Sequence, residues 1–287
     1  MMSYFSKFFW DTSSNANFSN KKYDDIKLGW IKDNYTEHDK LVRPALSTYK
    51  KIIHHPMLKS ITGIDLRNKC PPVYDQGNLG SCTANSICAA YEFEMLKQNE
   101  VHGYEQMSRL FLYYMERSIE GTIDRDSGAQ IKDGISVVTN GLCLESLWPY
   151  DISKFAIKPD QQCYDDQKLH KTIKEYRVQQ NYDDIKQCLL DGYPIMFGFI
   201  VYESFKSDQV TNTGIVPMPS VNEKTLGGHA VLLVGITNIN NIEYYIVRNS
   251  WGTEWGDGGY FYMPCEYVEN SNLASDFWTI QLVKDDE

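Results

Sequence analysis

This chain contains no run of the roughly 18 apolar residues that a membrane-spanning helix requires, so no segment of it reads as a span. It has no CxxC and no HExxH, the common frameworks for zinc, and no metal or cofactor is expected. No internal repeat is present. The opening MMSYFSKFFWDTSSN is aromatic, but Lys7 and Asp11 interrupt it too early for a secretory leader, and a floppy end is expected there. Cysteine is sparse and odd in number at seven, which fits reduced thiols better than a secreted disulfide framework. Cys70, Cys88, Cys143, Cys163, Cys188 and Cys265 therefore read as packed side chains. Positive charge is in deficit, with 28 Lys and Arg against 38 Asp and Glu. No basic stripe offers itself to nucleic acid. What the chain does have is 42% hydrophobic and 13% aromatic content over 287 residues, enough for a globular protein of two packed lobes.

The charge is unevenly placed. Residues 1–63 hold ten Lys and Arg against six Asp and Glu, while residues 64–287 hold eighteen against thirty-two. A basic opening on an acidic body predicts that the first segment binds the rest, although the Asn- and Ser-rich residues 11–20 also suit a disordered extension. His54 and His55, ahead of Pro56, read as a solvated turn.

Chemistry concentrates in three places. DQGNLGSCTAN, Asp75 to Asn85, sets Gln76 six residues before Cys82, which opens the apolar helical run SICAAYEFEMLKQ. Gly77 and Gly80 supply a tight turn just ahead. A helix N-terminus favours a thiolate, the nucleophilic form of cysteine. Gln76 can reach back to join the Cys82 backbone N–H in holding an oxyanion. Far downstream, GGHAVLLVGI places His229 at the head of a strand-like run. RNSWGTEWGDGGYFYM then offers Asn249 as an acceptor that orients an imidazole, with Trp251 and Trp255 to exclude water.

These three blocks, in this order, resemble the papain and cathepsin family of cysteine peptidases over roughly residues 64 to 283, cathepsin B-like in places. In that family the His and Asn stand about 130 to 150 residues after the Cys. Here His229 follows Cys82 by 147 residues and Asn249 by 167, the excess suiting a small insertion around NINNIEYY. The resemblance implies Cys82 as nucleophile, His229 as general base and acid, Asn249 as orienter and Gln76 as oxyanion donor. It also implies an α+β, papain-like two-lobe fold. Residues 64–165 would form a helical lobe, 166–287 an antiparallel β-barrel lobe, and the active site would lie in the cleft between them. YEQMSRLFLYYMERSI and QIKDGISVVTNG read as further helices of the first lobe. PIMFGFIV, HAVLLVGI, IEYYIVRNS, GGYFYM and DFWTIQLV read as strands of the second.

The chain departs from the family at Thr83, where a Trp is usual, and at Leu79 and Arg125, where a disulfide would stand. Counting back from LWPY places Ser127 and Gly128 at the paired pocket glycines, with substrate backbone expected along Gly128. Gly80, Ser81, Gly228 and Trp251 would border the substrate as well. Asp276, in NLASDFW, would lie at the base of the pocket for the second residue before the scissile bond. An acid there would favour Arg or Lys, and a surface acid is the plainer reading.

Residues 1–63 would be an inhibitory pro-segment of the short form found in bacterial and giant-virus relatives, bound in cis with Trp30, Leu41 and Val42 as anchors. Low-pH processing between Lys59 and Asp65 is expected. The activity implied is a zymogen-borne thiol endopeptidase acting on polypeptides as a monomer, without nucleic acid or membrane. Its setting would be intracellular, in a virion or an acidic vacuole. A catalytically silent, peptide-binding relative remains the alternative, with peptide-bond transfer as a third reading.

Overall fold

A computed structural model describes residues 23–34, 63–98 and 105–284. Residues 11–20, Leu41, Val42, His54, His55 and Lys59 lie outside the described residues. In chain order come β1 (Trp30–Ile31), β2 (Ile64–Asp65), α1 (Cys82–Gln98), α2 (Arg109–Glu120), β3 (Ala129–Gln130) and α3 (Ile131–Asn140). Then follow α4 (Gln161–Asp166), β4 (Lys171–Arg177), α5 (Tyr182–Leu190), β5 (Ile195–Tyr202), α6 (Asp208–Thr213) and β6 (Thr225–Ile239). The last elements are β7 (Ile242–Arg248), β8 (Tyr260–Pro264), α7 (Cys265–Glu269) and β9 (Ala274–Lys284).

The fold is α+β with two lobes. Helix α1 is buried from Cys82 to Met95 on every face, as expected of a helix whose sequence shows no polar stripe. It packs on β6 and β9 on one side and on α2 and α3 on the other. Helix α2 starts at Ser108, whose hydroxyl accepts from the Phe111 N–H at 3.0 Å, and stops at Gly121 in the left-handed region. An apolar core fills the space between these helices and the sheet.

The second lobe is an antiparallel sheet in the order β4-β9-β5-β6-β7-β8, with β2 paired to β6 off that path. Ile64 and Asp65, expected to open the helical lobe, are thus strand partners of Ile236 and Gly235 in the sheet. A second core encloses Phe197, Phe199, Phe205, Trp251, Trp255 and Phe261. All seven cysteines are free thiols. Among the described residues, no helix is long and apolar enough to cross a membrane.

A separate two-stranded sheet positions the site. β1 pairs in parallel with β3, Trp30 opposite Ala129 and Ile31 opposite Gln130. This lays the early segment across the body where the two lobes meet.

Candidate active site

Cys82 is the first residue of α1 and is fully buried. Gly77, in the left-handed region, turns the preceding loop so that Ser81 and Cys82 enter the helix. The Ala230 N–H, from β6 across the cleft, donates to the Cys82 sulfur at 3.4 Å, and the Gly29 and Thr83 N–H groups also aim at it. These donors favour a thiolate, but burial outweighs them and pushes the thiol up to about 12. Thr83, where the family has Trp, donates its hydroxyl to the buried Glu116 at 2.8 Å, and burial holds that carboxyl well above its usual range.

Gln76 joins the two walls. Its Nε2 donates to the Leu79 carbonyl at 2.8 Å and the Lys27 carbonyl at 3.1 Å, while its Oε1 accepts from the Ser250 hydroxyl at 2.7 Å. The backbone carbonyl of Ser250 accepts from the Gln76 N–H at 2.8 Å as well.

On the sheet wall, His229 lies opposite Phe199 in the β5–β6 ladder. Its Nε2 meets Asn249 Oδ1 at 2.8 Å, and that oxygen also accepts from the Ser250 N–H at 2.8 Å. An amide oxygen only accepts, so the neutral ring carries its proton on Nε2. Nδ1 is buried and has no hydrogen-bond partner, which leaves it as the basic nitrogen. Trp251 covers the imidazole at 5.0 Å between centroids and Phe199 meets it edge-on at 5.8 Å. Trp255 and Phe205 pack behind Trp251. This aromatic wall excludes water and lowers the imidazole to about 4. With the cleft covered, burial works against both charged forms, the Cys82 thiolate and the His229 imidazolium, that a helix N-terminus alone would favour.

The cover is the early segment. The Gly29 carbonyl accepts from the Ala129 N–H at 2.8 Å. Its backbone lies so close to the body that a methyl group at residue 29 would stand 1.8 Å from the Gly80 carbonyl oxygen, and one at residue 128 would stand 2.1 Å from the Gly29 oxygen. Lys27 pairs with Asp126 at 2.9 Å, and Trp30 and Asp33 reach Asp276.

A papain family cysteine protease model matches residues 61–279. The chain belongs to the papain family of cysteine proteases. It is 45% identical over 275 residues to an uncharacterized peptidase C1-like protein of Acanthamoeba polyphaga mimivirus, covering 90% of this chain and 88% of that one. The crystal structure of xylellain, a cysteine protease from Xylella fastidiosa, superposes with a TM-score of 0.76 at 38% identity, over 91% of this chain and 97% of that one. A digestive procathepsin L 3 of Tenebrio molitor shares the fold at 20% identity, with a TM-score of 0.62 over 82% and 73% of the two chains.

In this papain-family cleft the structure brings together Cys82, His229, Asn249, Gln76, Trp251, Gly80, Gly128, Gly228 and Asp276. Two expected neighbours of the substrate turn elsewhere. The Ser81 hydroxyl bonds Tyr150 at 2.5 Å and accepts from the Asn85 side chain, and the Ser127 hydroxyl bonds Thr122 at 2.9 Å. Sequence reasoning missed Asp126, which accepts from the Gly80 N–H and the Tyr113 hydroxyl and so ties the turn before Cys82 to the Gly128 strand. Its position beside Ser127 was the available signal. Gly198, under the Trp30 indole, carried none.

Proposed function

We propose that this papain-family protease is an endopeptidase held inactive by its own residues 27–33, with Cys82 as nucleophile and His229 as general base and acid. The observation that carries the reading is the occupied cleft. The Gly29 N–H aims at the Cys82 sulfur, and the Lys27 carbonyl sits on the Gln76 amide where a substrate oxyanion would be held.

The segment's polarity explains why it would escape cutting. Trp30, the residue in the pocket beside Asp276, follows the residues beside the thiol in sequence. A cleavable chain that filled the same pocket with the second residue before its scissile bond would have to run the other way. Once the segment leaves, water returns to the thiol and imidazole, and the helix N-terminus and the ring can then stabilise the charged pair. The thiolate attacks the carbonyl carbon, and the oxyanion takes donors from Gln76 Nε2 and the Cys82 N–H. His229 protonates the departing amine, leaving a thioester. Water, deprotonated by His229, then attacks the thioester, and collapse releases the acid and restores the thiolate beside the imidazolium.

Processing in acid between Lys59 and Asp65 would free the cleft of the segment that Lys27 ties to Asp126 at 2.9 Å. The resemblance to a mimivirus protein makes a virion the first location to look. Incubating the purified chain at about pH 4 to 5 and assaying a fluorogenic peptide tests the reading. Activity should appear with loss of the N-terminal segment and be absent from Cys82→Ser. Activity already full at an unchanged mass would overturn the zymogen reading, and no activity in either form would favour a silent peptide-binding protein.

A further inference from the structure

Trp30 occupies a slot shaped for a flat, large ring. Its indole lies on the bare backbone of Gly198, where a methyl group would fall 1.9 Å from the ring. Gly228 is bare against it on another side, a methyl there falling 2.6 Å from the ring. The residue is only 8% exposed. Its Nε1–H donates to Asp276 Oδ2 at 3.2 Å. Asp276 is aimed there by a distortion of the sheet. Between the pairs Met196–Trp278 and Gly198–Ser275, β9 spends one more residue than β5, and Asp276 takes a left-handed φ of 64°. A non-glycine residue in that region is strained, and such bulges re-aim side chains at functional sites.

We propose that this slot selects substrates with tryptophan as the second residue before the scissile bond, and that Gly198, Gly228 and Asp276 set the choice. The inference rests on the protease reading above. Phenylalanine would fill the slot but bring no counterpart to the indole N–H, one of two donors that Asp276 Oδ2 accepts, the other being the Asp33 backbone N–H at 2.8 Å. Aliphatic side chains would leave part of the flat slot empty. A guanidinium would bring five donors to a slot in which Asp276 Oδ2 takes only the indole N–H and the Asp33 N–H.

The test uses the acid-treated full chain and peptides that differ only at that residue. Trp should exceed Phe and Arg by about tenfold in kcat/KM, the size of one hydrogen bond to a charged acceptor. In Asp276→Gly, which suits the left-handed backbone, the Trp-to-Phe ratio should fall to about one. Gly198→Val should lower the ratio of turnover of the Trp peptide to that of a peptide with Ala there about tenfold. An Arg peptide cleaved as fast as the Trp peptide, or a ratio unmoved in Asp276→Gly, would overturn the proposal. If no peptide is cleaved, the protease reading fails and a second readout judges the slot: amide exchange at Ala129, whose N–H is held by Gly29, in the intact chain. Trp30→Arg should speed that exchange more than Trp30→Phe; equal rates would reject the slot's preference.

Discussion

The two walls of the cleft are organised by different physics. On the helix wall, backbone and polar groups position the site: Asp126 holds the Gly80 N–H and the Tyr113 hydroxyl, which in turn accepts from Gly128. On the sheet wall, packing does the positioning: His229 is clasped by Trp251 and Phe199, with Trp255, Phe205 and Phe261 behind. Hydrogen-bonded loops give way locally, whereas an interdigitated aromatic cluster transmits any loss of volume. Damage on the helix wall should therefore show first as lost chemistry, and damage on the sheet wall as lost stability.

The largest expected effect is Cys82→Ala, which should reduce peptide hydrolysis by acid-treated protein at least about 10⁴-fold while leaving the denaturant midpoint nearly unchanged. Trp251→Ala should do the reverse in kind. It removes a fully buried indole and should cost about 3 to 5 kcal/mol in urea unfolding. A midpoint within error of the parent would erase the contrast between the walls. Gln76→Ala, at the junction, should lower kcat about 10²- to 10³-fold, read in the activated enzyme. It also orphans the Ser250 hydroxyl, so a smaller loss of stability should accompany it.

The smallest effect sharpens the comparison through pH. Glu92, inside α1, accepts from the Tyr74 hydroxyl and the Met107 N–H, yet burial raises it to about 7. The folded chain then holds a proton that the unfolded chain releases near its ordinary 4.5, so stability falls as pH rises from about 4.5 to about 7. Glu92→Gln should flatten that part of the profile in thermal unfolding; an unchanged slope would place the proton elsewhere.

The residues that meet in the cleft were legible because each sits in a short, self-contained pattern: a cysteine opening an apolar helix, a histidine heading a strand, an asparagine close before tryptophan. The long apolar strands β5 to β9 and the helices α1 to α3 were legible for the same reason. β4 was not, because KTIKEYR holds four charges, with Lys174 and Glu175 adjacent and so no clean alternation, and it becomes a strand by pairing with β9. The Trp30 slot was illegible too, since residues 30, 198, 228 and 276 meet only in the fold. Asp276 read from sequence either as a partner for a basic side chain or as a surface acid beside a strand, and burial at 6% exposure rules out the second. In the structure it receives an indole N–H, and the bulge that turns it there has no local signature.

The most direct test of the covered cleft is Gly29→Ala in the full chain, because the added methyl has no room against the Gly80 carbonyl. We would measure labelling of Cys82 at neutral pH, without acid treatment, by an epoxide selective for papain-like thiols, with the site mapped by mass spectrometry. Labelling at least about tenfold faster than in the parent is predicted, as the segment is displaced and the thiol regains water and its charged form. An unchanged rate would contradict the claim that residues 27–33 hold this protease closed.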